Sequence, residues 1–132
     1  MVEKQYRGKV LVVDDDEDIR WMVAEKLRSH GYTVECASDG REALGKIQQL
    51  SGHASSFMLV TDLNMPIMDG VTLARTLRDL GITIRTVIWS SAPHLCKERV
   101  HTLFQDELIE GRFALLTKLD DMGQLLAFLR AA

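Results

Sequence analysis

The chain has 132 residues, 46% of them hydrophobic and 27% charged, which is enough for one globular domain with a buried core. Its formal charge of −3 provides no overall basic field, and this argues against direct binding to nucleic acid or to an anionic membrane surface. There is no apolar run near the roughly 18 residues of a membrane span, no signal peptide and only two cysteines, so we expect a cytoplasmic protein.

Five short apolar runs predict β-strands. Four of them lack polar alternation, as strands covered by helices on both faces do. The second run alternates between apolar and polar residues and therefore fits an edge strand. In chain order the runs are Val10–Val13, Thr33–Ala37, Phe57–Val60, Thr86–Trp89 and Phe113–Leu116.

Amphipathic segments with helical spacing alternate with these strands. Their apolar stripes are Ile19, Met22, Val23 and Leu27; Ala43, Leu44, Ile47 and Leu50; Leu73, Ala74 and Leu77; Cys96, Val100, Leu103 and Phe104; and Met122, Leu125, Leu126 and Leu129. Gly31 and Gly81 follow the first and third helices, and Asp120 and Asp121 precede the last. The alternation predicts an α/β fold over residues 1–132, with a doubly wound parallel sheet, right-handed crossovers and five helices.

Polar residues follow the strands at the carboxyl edge of this sheet, where such folds bind their ligands. They are Asp14, Asp15 and Asp16 after the first strand, Asp62 after the third, Ser90 and Ser91 after the fourth, and Lys118 after the fifth. Adjacent carboxylates repel, and Mg²⁺, which prefers oxygen ligands, would compensate them. We therefore expect a magnesium site here, with at least one raised carboxylate pKa when the cation is absent.

Four segments in this order resemble the receiver domains of two-component response regulators: "VLVVDDDEDIR", "VTDLNMPIMDG", "VIWSSA" and "LLTK". The resemblance covers nearly the whole chain. It implies a flavodoxin-like sheet in the order 2-1-3-4-5, and a signalling domain that takes a phosphoryl group onto an aspartate rather than an enzyme with turnover. By position in the motifs, it implies the phosphoacceptor Asp62, the Mg²⁺ ligands Asp14, Asp15, Asp62 and the backbone carbonyl of Asn64, and the catalytic side chains Ser91 and Lys118.

The resemblance also implies partners. The phosphoryl donor would be a sensor histidine kinase or a phosphotransfer protein, and the output would be contact with a downstream protein, since the sequence contains no DNA-reading element. Whether the chain is free-standing or part of a larger regulator is left open by the sequence.

The residues after the first strand also allow two other functions. Asp14-x-Asp16 after an apolar strand also resembles the motif of haloacid-dehalogenase-type phosphatases, with Asp14 as nucleophile and Asp16 as general acid. That motif expects a hydroxyl residue where this chain has Asp18, and it leaves Asp62 without a role. Asp16 and Asp18 are both candidates for the N-cap of the first helix, and we predict that role for Asp18. A receiver-shaped interaction module that takes no phosphate is the other alternative, and the presence of every reactive residue type argues against it.

Several positions depart from the receiver pattern. Leu119 stands where a proline usually follows the lysine, so the Lys118–Leu119 bond should be trans by about 2.5–4 kcal/mol. Leu115 stands where an aromatic ring usually rotates on phosphorylation, so we expect the response in residues 92–108 instead. Residues 96–111 predict a long fourth helix with its connector. Trp21 and Trp89 are expected to pack, with Trp89 near the site.

Overall fold

A parallel sheet of five strands organises residues 8–51, 57–118 and 122–131, which are the residues described by the computed structural model. The strands are β1 (Lys9–Val13), β2 (Thr33–Ala37), β3 (Phe57–Thr61), β4 (Arg85–Ser90) and β5 (Phe113–Thr117). Their order is β2-β1-β3-β4-β5, and every neighbouring pair is parallel. The predicted flavodoxin-like α/β fold and its strand order are confirmed.

The helices flank the sheet on both sides. Within the described ranges they are α1 (Glu17–Ser29), α2 (Gly40–Ser51), α3 (Gly70–Asp79), α4 (Lys97–Leu103), α5 (Gln105–Ile109) and α6 (Gly123–Arg130), and a 3₁₀ turn (Pro93–Leu95) precedes α4. On one face, α1 and α6 pack against the apolar side chains of β1, β3 and β4. On the other face, α2, α3 and α4 cover the sheet.

The predicted long fourth helix is wrong, because the chain forms two helices that meet at Phe104. The backbone there has φ −126° and ψ 30°, outside the helical region. The Phe104 ring is buried and stacks on Phe113 with 4.4 Å between ring centroids. Arg78 of α3 lies over the same ring and donates to the carbonyl of Leu103. Phe104 keeps its own helical hydrogen bonds to Val100 and Leu108, and Arg78 satisfies the carbonyl of Leu103 beside the break.

The outer strands differ from the inner ones in burial. All of β3 is buried, whereas only Val34 and Ala37 of β2 are buried. β2 lies at the edge of the sheet, which confirms that prediction. β5 forms the other edge, and its residues after Phe113 are only half-buried. Helices nevertheless pack against both of its faces, as predicted, with Ala114 and Leu116 on one side and Phe113 and Leu115 on the other.

The first helix differs from its prediction in two ways. Trp21 is 66% exposed and Met22 is 48% exposed, so neither belongs to the core as predicted. Asp16, not Asp18, is the N-cap, and its carboxylate accepts from the backbone N–H groups of Asp18 and Ile19. Val23 and Leu27 of the predicted stripe are buried in the core.

The predicted helix ends are confirmed where they can be compared. Gly31 and Gly81 have φ of +96° and +76°, the left-handed conformation that glycine adopts easily after a helix. Leu119, Asp120 and Asp121 lie outside the described residues. Among the described helices, none combines the length and the apolar character needed to cross a membrane.

Candidate functional site

The pairing of β1 with β3 brings two aspartates together at the carboxyl edge of the sheet. Val13 and Thr61 are partners in the register, so the next residue of each strand, Asp14 and Asp62, lies at the same level. The backbone N–H of Asp62 donates to the carbonyl of Val13 at 2.8 Å and extends the ladder by one residue. Asp14 is 3% exposed, and Asp62 is partly buried.

Lys118 connects both carboxylates. Its backbone N–H donates to the carbonyl of Ser90 at 2.8 Å, which fixes the start of its side chain beside β4. Its ammonium lies 2.7 Å from Asp14 Oδ2 and 3.3 Å from Asp62 Oδ1, and its side chain is only 14% exposed. The fifth strand therefore places one positive charge between two negative ones.

Backbone groups orient the same carboxylates. Asp62 Oδ1 accepts from the N–H of Leu63 at 2.8 Å, and Asp14 Oδ1 accepts from the N–H of Asp16 at 3.0 Å. Arg20 donates from α1 to the carbonyl of Asp14 at 2.7 Å. The two N–H groups orient the carboxylates, and Arg20 fixes the backbone of Asp14.

The surroundings of Asp62 shift its pKa upward. Burial raises the pKa of this carboxyl, the nearby charge of Asp14 raises it further, and Lys118 lowers it only in part. The net result is a pKa above the ordinary value of an aspartate. The predicted rise in a carboxylate pKa is confirmed, although burial contributes more to it than repulsion.

Three carboxylates are arranged so that they could hold one cation. Asp14, Asp15 and Asp62 each offer an oxygen, and these oxygens lie within 4.8 Å of one another. The donor set consists of oxygens only, and Asp15 is exposed, which leaves room for water ligands. Both features suit Mg²⁺, which keeps several waters and takes few carboxylates. The residues present therefore fit the cation that the sequence predicted.

The remaining predicted site residues lie at the same edge without joining the cluster. Asn64 and Ser91 follow β3 and β4, and both are exposed. In the part of the chain that the structure describes, neither hydrogen-bonds to the clustered carboxylates or to Lys118. Ser90, the other serine after β4, is buried, and its hydroxyl accepts from the N–H of Ala92 at 3.1 Å. Exposure thus favours Ser91 as the hydroxyl available to a ligand.

Gly70 supports the site from the start of α3. Its N–H donates to the carbonyl of Leu63 at 2.9 Å, and a Cβ built on Gly70 would lie 2.2 Å from the carbonyl oxygen of Asp62. Only glycine permits this approach. No pattern in the sequence indicates that Gly70 packs directly against the backbone of Asp62.

A flavodoxin-like sheet with clustered carboxylates and a lysine at its carboxyl edge defines a phosphoacceptor signalling domain. The chain belongs to the response regulator receiver domain family, whose model matches residues 10–129.

Similar proteins agree with this membership. Response regulator MprA of Mycolicibacterium vanbaalenii is 36% identical over 120 residues, which cover 89% of this chain and 50% of that protein. The chain thus spans about half the length of this curated relative. The structure of chemotaxis protein CheY4 of Vibrio cholerae aligns with a TM-score of 0.73 and 31% identity, over 94% of this chain and 97% of that one. TrrA of Thermotoga maritima, solved in complex with Mg²⁺ and BeF, aligns over 94% of this chain and 97% of that one with a TM-score of 0.70 and 21% identity, which shows a shared fold.

Proposed function

We propose that Asp62 is the phosphoacceptor of this receiver domain. The observation that carries the proposal is the position of Lys118, whose ammonium contacts both Asp62 and Asp14. A lysine held there offsets part of the negative charge of the carboxylates before the reaction and can reach an oxygen of an incoming phosphoryl group.

Asp14, Asp15, Asp62 and the backbone carbonyl of Asn64 would hold Mg²⁺. Bound there, the cation would neutralise negative charge on the transferred oxygens. The three clustered carboxylates support this ligand set, and TrrA, a protein of the same fold, was solved with Mg²⁺ and BeF.

The chemistry of this chain's own residues is a direct displacement. A carboxylate oxygen of ionised Asp62 attacks the phosphorus of the donor, and the bond between phosphorus and the donor breaks, with its electron pair leaving on the donor. Lys118 then follows the new phosphoryl group, because its second partner Asp62 has lost its charge. Ser91 would donate its hydroxyl to another phosphoryl oxygen. The product is an acyl phosphate on Asp62.

The partners follow from this chemistry. The donor would be a phosphohistidine of a sensor histidine kinase or of a phosphotransfer protein, and the output would be contact with a downstream protein in the cytoplasm. No basic field supports direct binding to nucleic acid, since the formal charge is −3.

The phosphatase alternative is disfavoured by the position of Asp16. Its carboxylate accepts two backbone N–H groups at the start of α1, at 2.9 and 3.1 Å. A general acid must instead reach the leaving group. The alternative in which no phosphate is taken has no specific observation in its favour, because Asp62 and Lys118 are already in contact.

Acetyl phosphate provides a test that needs no cognate kinase. We expect the protein with Mg²⁺ to gain the mass of one phosphate, and expect chelation of the metal or Asp62→Asn to abolish the gain. Asp16→Asn serves as the matched control and should retain it. An unchanged adduct in Asp62→Asn would refute the acceptor assignment, and loss of the adduct in Asp16→Asn with Asp14 labelled in the wild type would favour the phosphatase alternative.

A further inference from the structure

Trp89 is the aromatic neighbour of Lys118. It lies on β4, opposite Leu116 in the register with β5, and is 5% exposed. The ammonium of Lys118 lies over its ring, 5.7 Å from the ring centroid. This distance is within the range of about 6 Å in which the negative face of an aromatic ring attracts a cation.

We propose that Trp89 is a positioning residue for Lys118, holding its ammonium by a cation–π contact as the phosphoryl group arrives. The inference rests on the proposed function, since it assumes that Lys118 contacts the transferred group. It adds a residue that the receiver motifs of the sequence do not include.

The need for such a contact follows from what phosphorylation does to the lysine's partners. At rest, Lys118 is held by two carboxylates, at 2.7 and 3.3 Å. Formation of an acyl phosphate moves the negative charge from the carboxylate of Asp62 to the phosphoryl oxygens, so Lys118 must exchange one partner for another, and a long flexible side chain has many other conformations to adopt while it does so. The Trp89 ring is neutral and does not change during the reaction, so its attraction for the ammonium is the same before and after transfer.

The surroundings of Lys118 increase the value of the contact. Trp89 and Lys118 both line an open groove of about 600 Å³ between α1 and the start of α6, with Trp21 and Met22 on its α1 side. The groove gives the lysine a route to solvent. A ring that holds the ammonium at the inner end of the groove opposes that movement, and the contact is stronger because the lysine side chain is 14% exposed.

Substitution separates this role from simple packing. Trp89→Phe keeps an aromatic face and Trp89→Leu does not, although both remove volume from the same buried position. We expect Trp89→Leu to lower the maximal rate of labelling by acetyl phosphate about three- to tenfold. Trp89→Phe should stay close to the wild type. The Mg²⁺ concentration for half-maximal rate should be unchanged in both, because neither variant alters the carboxylates.

A fluorotryptophan series tests the contact without changing the packing. The chain has two tryptophans, so Trp21→Phe makes Trp89 the sole position of the analogue. Each added fluorine weakens the negative ring face with little change in shape, and we expect the logarithm of the labelling rate to fall steadily with fluorine number. The ε-methylene protons of Lys118 should also be shifted upfield in metal-free wild type, less so in Trp89→Phe and not in Trp89→Leu.

The outcomes separate this inference from the proposed function. A flat fluorine series, or lysine resonances that do not respond to Trp89→Leu, overturns the positioning role while leaving Asp62 as acceptor. A wild-type protein that takes no phosphate from acetyl phosphate overturns both. If Trp89→Leu fails to fold, the fluorine series in the folded protein decides alone.

Discussion

The connection between β3 and α3 begins and ends with an aspartate, and the two have opposite electrostatic environments. Asp62, at its start, has a raised pKa because burial and Asp14 outweigh the attraction of Lys118. Asp69, at its end, is also partly buried, which raises its pKa. There, however, the N–H of Thr72 at 2.7 Å and Arg99 at 3.1 Å outweigh burial and lower the pKa below its ordinary value. The comparison shows that Asp69 is stabilised as an anion by the fold, whereas Asp62 needs a further positive charge.

The largest expected effect of this difference is on phosphorylation. Asp62→Asn should abolish labelling by acetyl phosphate with Mg²⁺, because an amide lacks the nucleophilic carboxylate oxygen. Asp69→Asn should keep labelling within about twofold of the wild type, since its carboxylate is directed to the helix and not to the cluster. Quantitative mass spectrometry of both variants checks this, and comparable losses in the two would remove the distinction.

Gly70 follows Asp69 in the chain and packs against the backbone of Asp62, so its substitution should affect both the fold and the site. Gly70→Ala places a methyl group within 2.2 Å of the Asp62 carbonyl oxygen, so the backbone must move. We expect a loss of about 1–3 kcal/mol in the free energy of unfolding, as for other overpacked positions, together with slower labelling. Gly45→Ala is the control, because a Cβ there meets nothing within 4 Å. Urea unfolding curves that are the same for Gly70→Ala and the wild type would contradict the close approach.

Asp69→Ala should cost about 1 kcal/mol, the usual value of a lost N-cap. This contribution depends on pH, because folding lowers the pKa of Asp69. The ionised carboxylate stabilises the native state above the unfolded pKa near 3.8, and that stabilisation is lost as the pH falls through the lower pKa of the folded protein. The difference between wild type and variant should therefore be full at neutral pH and shrink in acid. A difference that grows on acidification would be inconsistent with the capping role.

Asp62→Asn should show the reverse dependence, and the effect should be the smallest of the series. A raised carboxyl pKa means that the native state holds its proton more tightly than the unfolded state, so stability falls as the pH rises from 3.8 through the folded pKa. Without Mg²⁺ at neutral pH, the variant should thus melt slightly above the wild type, and this gain should vanish in acid. Calorimetry across pH measures the difference in melting temperature. A variant less stable than the wild type at neutral pH would be evidence against an unfavourable environment for the charge of Asp62.

Mg²⁺ should remove the stability advantage of Asp62→Asn over the wild type. A cation bound by the native state alone stabilises it by mass action, so added Mg²⁺ should raise the melting temperature of the wild type. At matched ionic strength the rise should be much smaller in Asp15→Asn, which removes a ligand of the proposed set without altering the contacts of Lys118. Equal shifts in the two proteins would exclude Asp15 as a ligand.

Much of the fold could be predicted from sequence because it depends on local pattern. The uninterrupted apolar run of β3 and the period of Leu73, Ala74 and Leu77 predicted buried elements that the structure contains. The site could be predicted for a related reason: parallel strands bring their carboxyl ends to one edge, so Asp14, Asp62 and Lys118 had to be near one another.

The features that the sequence did not predict depend on long-range contacts. The break at Phe104 is set by Phe113 and Arg78, which have no periodic relation to it. Trp21 is 66% exposed, although its apolar character predicted burial. The choice of Asp16 over Asp18 as N-cap depends on the backbone angles at the start of α1, which adjacent acidic residues do not distinguish.

The most direct test of the difference between the two aspartates is to locate the acyl phosphate in the sequence. Protein labelled with acetyl phosphate and Mg²⁺ can be reduced with borohydride, which converts the modified aspartate to homoserine, and peptide sequencing by mass spectrometry then reads its position. We predict homoserine at position 62 only, with Asp14, Asp15 and Asp69 unmodified. Homoserine at position 69 or 14, or spread among several of these aspartates, would contradict the account.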